Sequence, residues 1–541
     1  MPAAIDRRLL LQAGAFGLGA LAIPGAASAL GQGRGFTHNV ASGEPSQRSV
    51  LLWTRFVAPR EVRLEAEVSA SESFDRLISG GSVTASPAGD HTARLTVDGL
   101  DPGSWYYYRF RGPGGSLSPV GRTRTLPEGP AGRFALGVFS CSNLPFGWFN
   151  AYAHAAARQD LDLVVHLGDY FYEYQRGRYP VSEDVLPGRK IDPAGETVHL
   201  ADYRLRHASY RSDPDLRRLM QNFPWVAMWD DHESANNSWR EGAENHQPEE
   251  GPWDVRKAAA VRAYREWMPV SDADYAEYRI GQLATLFRPE TRLTGRSRQL
   301  SFADALAGAT DPKAALAAFR DGPWRDPARS ILGAVQEQRL ADGLGASVRA
   351  GTRWQLLAQQ VVMGSMALAP ETADWLSPAA SQARREGTKI GLLASSIGLP
   401  LNLDMWDGYP AARARLLRSA QQAGANLVVL SGDIHNAFAF DLDVGGAPAG
   451  VEFAGHSVTS PGFERDFAGV SARDVERATI ARNPQLKWAN IERRGYMTVE
   501  LTPARATSEW LFLDTVRQRS TVMAATHRMS VAHGTNTLAP A

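Results

Sequence analysis

The sequence predicts an α/β domain of strands flanked by helices, preceded by a small all-β domain of immunoglobulin or fibronectin kind. Three observations predict it. Residues 36–126 alternate apolar and polar residues over short runs separated by turn chemistry. From Phe134 onward, longer apolar runs are separated by helical stretches. Four of those apolar runs end abruptly in polar clusters, the arrangement of an α/β sheet whose carboxyl ends carry a site. At 541 residues the chain is too long for one ordinary core, so two domains are expected.

Taken in order, residues 1–29 read as an address label. Asp6-Arg7-Arg8-Leu9-Leu10 opens them, an apolar stretch runs from Leu9 to Ile23, and Ala27-Ser28-Ala29 closes them. Paired arginines, a short apolar region and an A-x-A site describe a twin-arginine signal peptide, with mature protein beginning near Leu30. The apolar stretch is shorter than the roughly 20 residues of a membrane span and is diluted by Gln12, Gly17 and Gly19. The expected location is therefore periplasmic or secreted, with the twin-arginine machinery as export partner and no membrane span in the mature form.

In the β-domain, Val62, Leu64, Ala66 and Val68 alternate with Arg63, Glu65 and Glu67, as a half-buried strand does. Ala93, Leu95 and Val97 repeat the pattern, and Trp105–Phe110 follows the turn residues Asp98-Gly99 and Asp101-Pro102-Gly103. Thr125 to Arg133, rich in Pro and Gly, reads as a linker. The catalytic domain is expected over 133–514, with 515–541 as a C-terminal tail that caps the site or frays. Expected helices are Gly147–Gln159, Pro214–Gln221, Trp253–Trp267 and Ala411–Ala423. Ser365–Pro400 has no clear period and reads as a loop insertion.

Charge excludes one class of partner. Lys+Arg and Asp+Glu both count 58, so the basic excess of a nucleic-acid binder is missing and no stable nucleic-acid partner is expected. The single cysteine, Cys141, cannot form an internal disulfide and is either an inert buried thiol or a metal ligand.

Chemistry gathers at the strand ends. Phe134–Phe139 runs into Ser140-Cys141-Ser142-Asn143, and Leu161–Leu167 into Gly168-Asp169-Tyr170-Phe171-Tyr172. Pro224–Trp229 runs into Asp230-Asp231-His232-Glu233, and Leu427–Leu430 into Ser431-Gly432-Asp433-Ile434-His435. Singly, a Gly-Asp after a strand is turn chemistry. Turn chemistry does not explain Cys141, Tyr172 and His435 at matching strand ends. Thiolate, phenolate and imidazole suit an oxidised transition metal, while carboxylate and amide oxygens suit a harder ion. A carboxylate such as Asp169 can bridge two metals, whose charge serves phosphate-ester hydrolysis. Glu233 and Asn237 are expected to orient neighbours, and Tyr170 and Tyr174 to pack. His154, His166, His199, His207 and His246 lack motif support, and His456 is left between a place beside the site and a structural one.

The segments Phe139-Ser-Cys-Ser-Asn143, Leu167-Gly-Asp-Tyr-Phe-Tyr-Glu173, Trp229-Asp-Asp-His-Glu-Ser-Ala-Asn236 and Ser431-Gly-Asp-Ile-His-Asn-Ala437 resemble the calcineurin-like metallophosphoesterases. With Trp354-Gln-Leu-Leu-Ala-Gln-Gln360 and Met405-Trp-Asp-Gly-Tyr-Pro410, the resemblance is to their alkaline phosphatase D (PhoD-type) branch. It covers Phe36 to about Phe512. Cys141 and Asn143 stand where the wider superfamily has Asp and His, and Asp231 and Asp433 where it has Asn and His. These departures are those of the branch. The resemblance implies a metallophosphoesterase β-sandwich flanked by helices, loaded with ferric iron (Fe3+) and calcium (Ca2+). It implies iron on Cys141, Asp169 and Tyr172, completed by His435 or Asp433. Asp169 would bridge to calcium, with Asp231, Asn236 and the other member of that pair. Asn143 is a weaker candidate ligand. His232 is the residue implied to contact phosphate and protonate the leaving group.

The function expected is an exported alkaline phosphatase, acting on phosphate monoesters and possibly diesters through a metal-bound hydroxide. A phosphodiesterase acting on lipid or teichoic-type head groups, and a non-catalytic periplasmic binder of phosphate or metal, are the competing readings.

Overall fold

A computed structural model describes residues 33–376, 382–465, 467 and 469–541. The signal-peptide reading of residues 1–29 therefore lies outside the described residues.

Seven strands form the N-terminal unit: β1 (Gly35–Gly43), β2 (Val50–Val57), β3 (Val62–Ser69), β4 (Leu77–Ala85), β5 (Thr92–Val97), β6 (Trp105–Arg111) and β7 (Gly121–Arg124). One sheet has the order β4-β3-β6-β7 and faces β1-β2-β5 across a core of Val50, Leu52, Leu64, Val68, Tyr108 and Phe110. The alternation read over Val62–Val68 is the inward face of β3, where Leu64 and Val68 are fully buried.

The following strands are β8 (Phe134–Phe139), β9 (Leu163–His166), β10 (Pro224–Ala227), β11 (Ala276–Ile280), β12 (Ala284–Arg288) and β13 (Trp354–Ala358). They continue with β14 (Leu427–Ser431), β15 (Ala437–Val444), β16 (Ala447–Ala454), β17 (Leu486–Asn490), β18 (Gly495–Leu501), β19 (Arg505–Leu513), β20 (Met523–Ala532) and β21 (Leu538–Pro540). They build two sheets that pack face to face. The larger has ten strands in the order β21-β20-β19-β18-β8-β9-β10-β1-β2-β5, and the other seven in the order β11-β12-β13-β14-β16-β15-β17. Strands β8, β9 and β10 run parallel in the middle of the first sheet and are buried on both faces. Leu136, Val138, Leu163, Val165 and Val226 face the other sheet, while Phe139, Val164 and Trp225 face helices.

Those helices are α1 (Asn150–Ala156), α2 (Leu200–Tyr210), α3 (Pro214–Asn222) and α4 (Trp253–Trp267). The start of α3 is written locally. The Asp213 side chain accepts from the amides of Asp215 and Leu216, and Pro214 occupies the first turn. Further helices are α5 (Phe302–Leu306), α6 (Pro312–Asp321), α7 (Gly333–Arg349), α8 (Gln382–Ser396), α9 (Pro410–Ala423) and α10 (Ala472–Arg482). Residues of α7, α9 and α10 join the core that covers the outer face of the second sheet. The molecule is thus a β-sandwich between helical layers, with the all-β unit at one end.

Two segments differ from expectation. Ser365–Pro400 contains the fifteen-residue helix α8, whose pattern is broken by Gly387, Thr388, Gly391 and two serines. The segment after Thr515 neither caps the strand ends nor frays, because β20 pairs with β19 from Arg505↔Ala532 to Leu513↔Met523 and buries Met529 and Val531. Arg517 bonds the carbonyls of Phe146 and Asp184, Arg519 pairs with Asp215, and His527 stacks on Trp488.

Candidate metal centre and active site

Three of the four predicted clusters follow adjacent parallel strands, and the fourth reaches them from the opposite sheet. Two glycines permit this approach. A Cβ on Gly168 (φ +101) would lie 2.5 Å from the Cβ of Asp230, and one on Gly432 would lie 2.6 Å from that of Ser140. The backbone turns sharply at the same points. Cys141, Asp169, Asp433 and His435 all have φ between 51° and 63°, a left-handed conformation that costs free energy in non-glycine residues. Hydrogen bonds hold the turns: the Cys141 amide donates to Gly168 O (3.2 Å) and the Ser142 amide to Asp169 O (2.8 Å).

The side chains so aimed form three donor groups, in each of which the ligand atoms lie within 4.8 Å of one another. They are Cys141, Asp169 and His435; Asp169, Asp231 and His232; and Asp169, Asp230, Asp231 and Asp433. Tyr172 joins the first, with its hydroxyl 3.3 Å from Asp169 Oδ2 and 3.1 Å from His435 Nε2. Geometry therefore separates the pair that the sequence left open: His435 stands with Cys141 and Tyr172, and Asp433 with the acids. His435 Nδ1 lies 2.8 Å from Pro461 O, and burial pulls its pKa down to about 3, which keeps the imidazole neutral.

Burial disfavours charge on the donor atoms. Burial, with Asp169 next, pushes the Cys141 thiol well above its ordinary range, and burial does the same for the Tyr172 phenol, Asp169 and Asp433. Asp169 Oδ1 and Asp230 Oδ2 are buried without a hydrogen-bond partner. Acids gathered in this way stay ionised only if positive charge is supplied, and a bound cation inverts the local preference. The donor set fits such a pair of cations: thiol, phenol and imidazole on one side, and carboxylates on the other.

One cation is built in. Arg292 is 0% exposed; its Nε donates to Asp230 (2.5 Å) and its Nη1 to both Asp404 oxygens (2.9 and 2.7 Å). Its Nη2 makes no hydrogen bond and lies 3.6 Å from Asp433 and 3.9 Å from Asp231. Burial works against its charge, but Asp230, Asp404, Asp231 and Asp433 hold the guanidinium ionised.

His232 stands beside the acids with Nδ1 2.7 Å from Glu173 Oε2. Burial opposes protonation there, yet Asp231, Glu173 and Asp169 outweigh it and raise the imidazole well above its usual range. Glu173 is buried and also accepts from the Asn236 amide (2.7 Å) and the Asn245 side chain (2.8 Å).

A PhoD-like phosphatase family profile matches residues 136–510, and the profile of that family's N-terminal domain matches residues 23–127. The chain belongs to the PhoD-like phosphatase family. Alkaline phosphatase D of Bacillus subtilis (strain 168) is 34% identical over 494 residues, covering 86% of this chain and 76% of that one. A solved structure of PhoD superposes with a TM-score of 0.75 at 30% identity, covering 94% of this chain and 92% of that chain. As a PhoD-like phosphatase the chain is a phosphoric ester hydrolase, which sets aside the non-catalytic binder.

Among this phosphatase's predicted site residues, the structure brings together Cys141, Asp169, Tyr172, Asp231, His232, Asp433 and His435. Asn236 sits differently. Its side-chain amide donates to Glu244 at 3.4 Å, whereas the neighbouring Asn237 amide donates to Asp231 Oδ2 at 2.7 Å. Asn143 turns back on its own loop, accepting from the Phe146 amide, with its Nδ2 buried and unpartnered. Glu233 orients neighbours, as read: it accepts the amides of Asp169, Tyr170 and Asp230, and burial raises its pKa to about 8. His456 is structural, contacting Leu511 O and Phe512. Sequence reasoning missed Arg292, Asp404, Asp230, Glu173 and Ser460, whose hydroxyl is 2.6 Å from Tyr172. Glu173 and Asp230 lie inside quoted motifs, and Asp404 immediately precedes one; Arg292 and Ser460 carried no local signal.

Proposed function

We propose that this phosphatase is an exported two-cation enzyme hydrolysing phosphate monoesters and diesters. Ferric iron would be held by Cys141, Asp169, Tyr172 and His435. Calcium would be held by Asp169, Asp231 and Asp433, with Asn236 added by resemblance. The observation carrying the reading is that Asp169 belongs to all three donor groups, as a bridging carboxylate must. Cations bound there would supply Lewis acidity to the phosphoryl oxygens and acidify a water for attack. The chain's own residues do the rest. Arg292 fixes Asp230 and stands beside Asp231 and Asp433, keeping the acids at a set spacing. Glu173 holds Nδ1 of His232, so its Nε2 remains for the departing ester oxygen. Glu173, paired with His232 Nδ1, is the partner that would keep His232 protonated as a general acid with cations bound at Asp169 and Asp231.

Metal analysis of the natively exported protein, with monoester and diester turnover measured in parallel, tests the reading. One iron and one calcium per chain with turnover of both ester types is expected. Full turnover after complete chelation would sink it. Export by the twin-arginine route is supported by Arg7 and Arg8 ahead of the apolar stretch; replacing both with Lys should leave unprocessed protein inside the cell. The runner-up, a phosphodiesterase for lipid or teichoic-type head groups, uses the same residues and differs only in the walls around them.

A further inference from the structure

An apolar pocket of about 480 Å3, within the roughly 300–1,000 Å3 of typical ligand sites, is walled in part by residues that neighbour the donor groups along the chain. Its walls include Met366, Leu368, Trp375, Phe463 and Phe467, with polar groups confined to a few positions. Three connections tie it to the site. Ile434, which lines the pocket, stands between Asp433 and His435, which belong to the donor groups. Phe463 stands two residues after Pro461, whose carbonyl is bonded to His435, and its own amide donates to Asn436 Oδ1 (3.1 Å). Asn402, also in the wall, accepts the amide of Asp404 (2.8 Å), the carboxylate clamped by Arg292. The chain that fixes the site's charged groups is therefore the chain that shapes the pocket.

Helix α8 keeps this space open. It lines the pocket with Gly387, Thr388 and Gly391. A Cβ at Gly387 would meet nothing within 4 Å. Glycine weakens a helix relative to alanine; at Gly387 it leaves open space at the pocket wall, whereas at Gly391 a Cβ would lie 2.7 Å from Leu368 Cδ1, so that glycine serves close packing. Trp375 and Phe467 meet edge to face (centroids 5.4 Å apart) while remaining only partly buried, as does Ile434. Apolar surface of this kind, next along the chain to the charged donor groups, fits a ligand with one charged end and one apolar end.

We propose that the pocket binds the organic group of the substrate, and that this phosphatase prefers phosphate esters carrying an apolar alkyl or acyl chain of several carbons. The proposal rests on the phosphatase reading and adds the substrate class to it. The probes are methyl phosphate and hexyl phosphate, whose leaving alcohols are chemically alike, with phosphate release measured on the metal-loaded protein. Burial of a methylene is worth about threefold to fourfold, so kcat/KM should favour the hexyl ester by more than about tenfold. Gly387→Leu, which fills open space on a surface helix, should reduce that ratio at least about fivefold, as should Leu368→Gln. A ratio below about tenfold in the wild type, or one that survives both substitutions, overturns the proposal. Calorimetric binding of hexylphosphonate and methylphosphonate makes the same comparison without turnover. Absence of hydrolysis would thus count against the phosphatase reading, while equal affinities for the two phosphonates would count against the pocket alone.

Discussion

Cys141 gathers the site's chemistry into one residue. Its thiol is fully buried beside Asp169 and is pushed well above its ordinary range, so without a cation it is neutral and with one it is a thiolate. If iron is bound there, Cys141→Ser should remove or shift a thiolate-to-iron absorption and lower the iron content, with little change in the fold by circular dichroism. Retention of both colour and iron would reject the ligand role. His232 and Glu173 make a separate unit. A proton donor matters most for a poor leaving group, and general acid catalysis is worth roughly 10²–10⁴-fold. His232→Asn should therefore slow alkyl phosphates far more than nitrophenyl phosphate, and Glu173→Gln should give the same bias at smaller size. Equal losses on the two substrates in His232→Asn would reduce it to a phosphate-binding residue. Arg292 is the third case. Removing one partner of a buried ion pair leaves the others unpaired and typically costs about 3–5 kcal/mol. Arg292→Gln should lower stability to chemical denaturation by about that amount, since it leaves Asp230 without its guanidinium while Asp404 keeps only Arg296 and Gln299; a loss under about 1 kcal/mol would mean that Asp230 finds another partner.

At the scale of elements, the site depends on two sheets meeting at a few backbone atoms. Gly432, at the end of β14, closes on Ser140 at the end of β8, and a methyl group there has no room. Gly432→Ala should separate Asp433 and His435 from Cys141 and Asp169, lowering melting temperature and metal content together. Unchanged metal content in that variant would show that the sheets tolerate the shift. The strands that make this meeting were legible because β8, β9, β10 and β14 are unbroken apolar runs ending in polar residues. Helix α8 was not, because Gly387, Thr388, Gly391, Ser395 and Ser396 interrupt the helical period. Strand β20 was hidden for another reason. It lies next to the short edge strand β21, which pairs only with Met529–Val531, and its first six residues alternate between exposed and half-buried, so its apolar signal begins only at Met529. The residues of the donor groups were legible as motifs at strand ends, whereas Arg292 reaches the site from a loop and can be found only once the chain is folded.

At the scale of the whole molecule, the two expected units share a sheet. Strand β1 pairs antiparallel with β2 in the N-terminal unit and parallel with β10 in the catalytic one, through Ser42↔Pro224 and Gly43↔Trp225. A Cβ on Gly43 would lie 2.1 Å from Pro269 O and 2.8 Å from Trp225 O, so the junction admits no side chain there. The junction is also knitted by side chains: Trp53 Nε1 donates to Glu266 O (2.8 Å), Trp267 Nε1 to Asp90 (3.0 Å), and Arg94 to Val270 O (2.6 Å). Arg211, which caps the end of α2, stacks over Trp53 at 4.2 Å. A linker at Thr125–Arg133 separates the units along the chain but not in space. Removing residues 1–132 would therefore expose the edge of β10, the strand that delivers Asp231 and His232, and an unpaired edge in a sheet centre invites aggregation. Calorimetry of the full protein should accordingly give one transition, with van't Hoff and calorimetric enthalpies equal, and chelation should shift that single transition downward. The fragment 133–541 should be recovered mainly as aggregate. Two resolved transitions, of which only the upper responds to chelator, would mean that the shared sheet does not couple the units, and a soluble, active fragment would say the same.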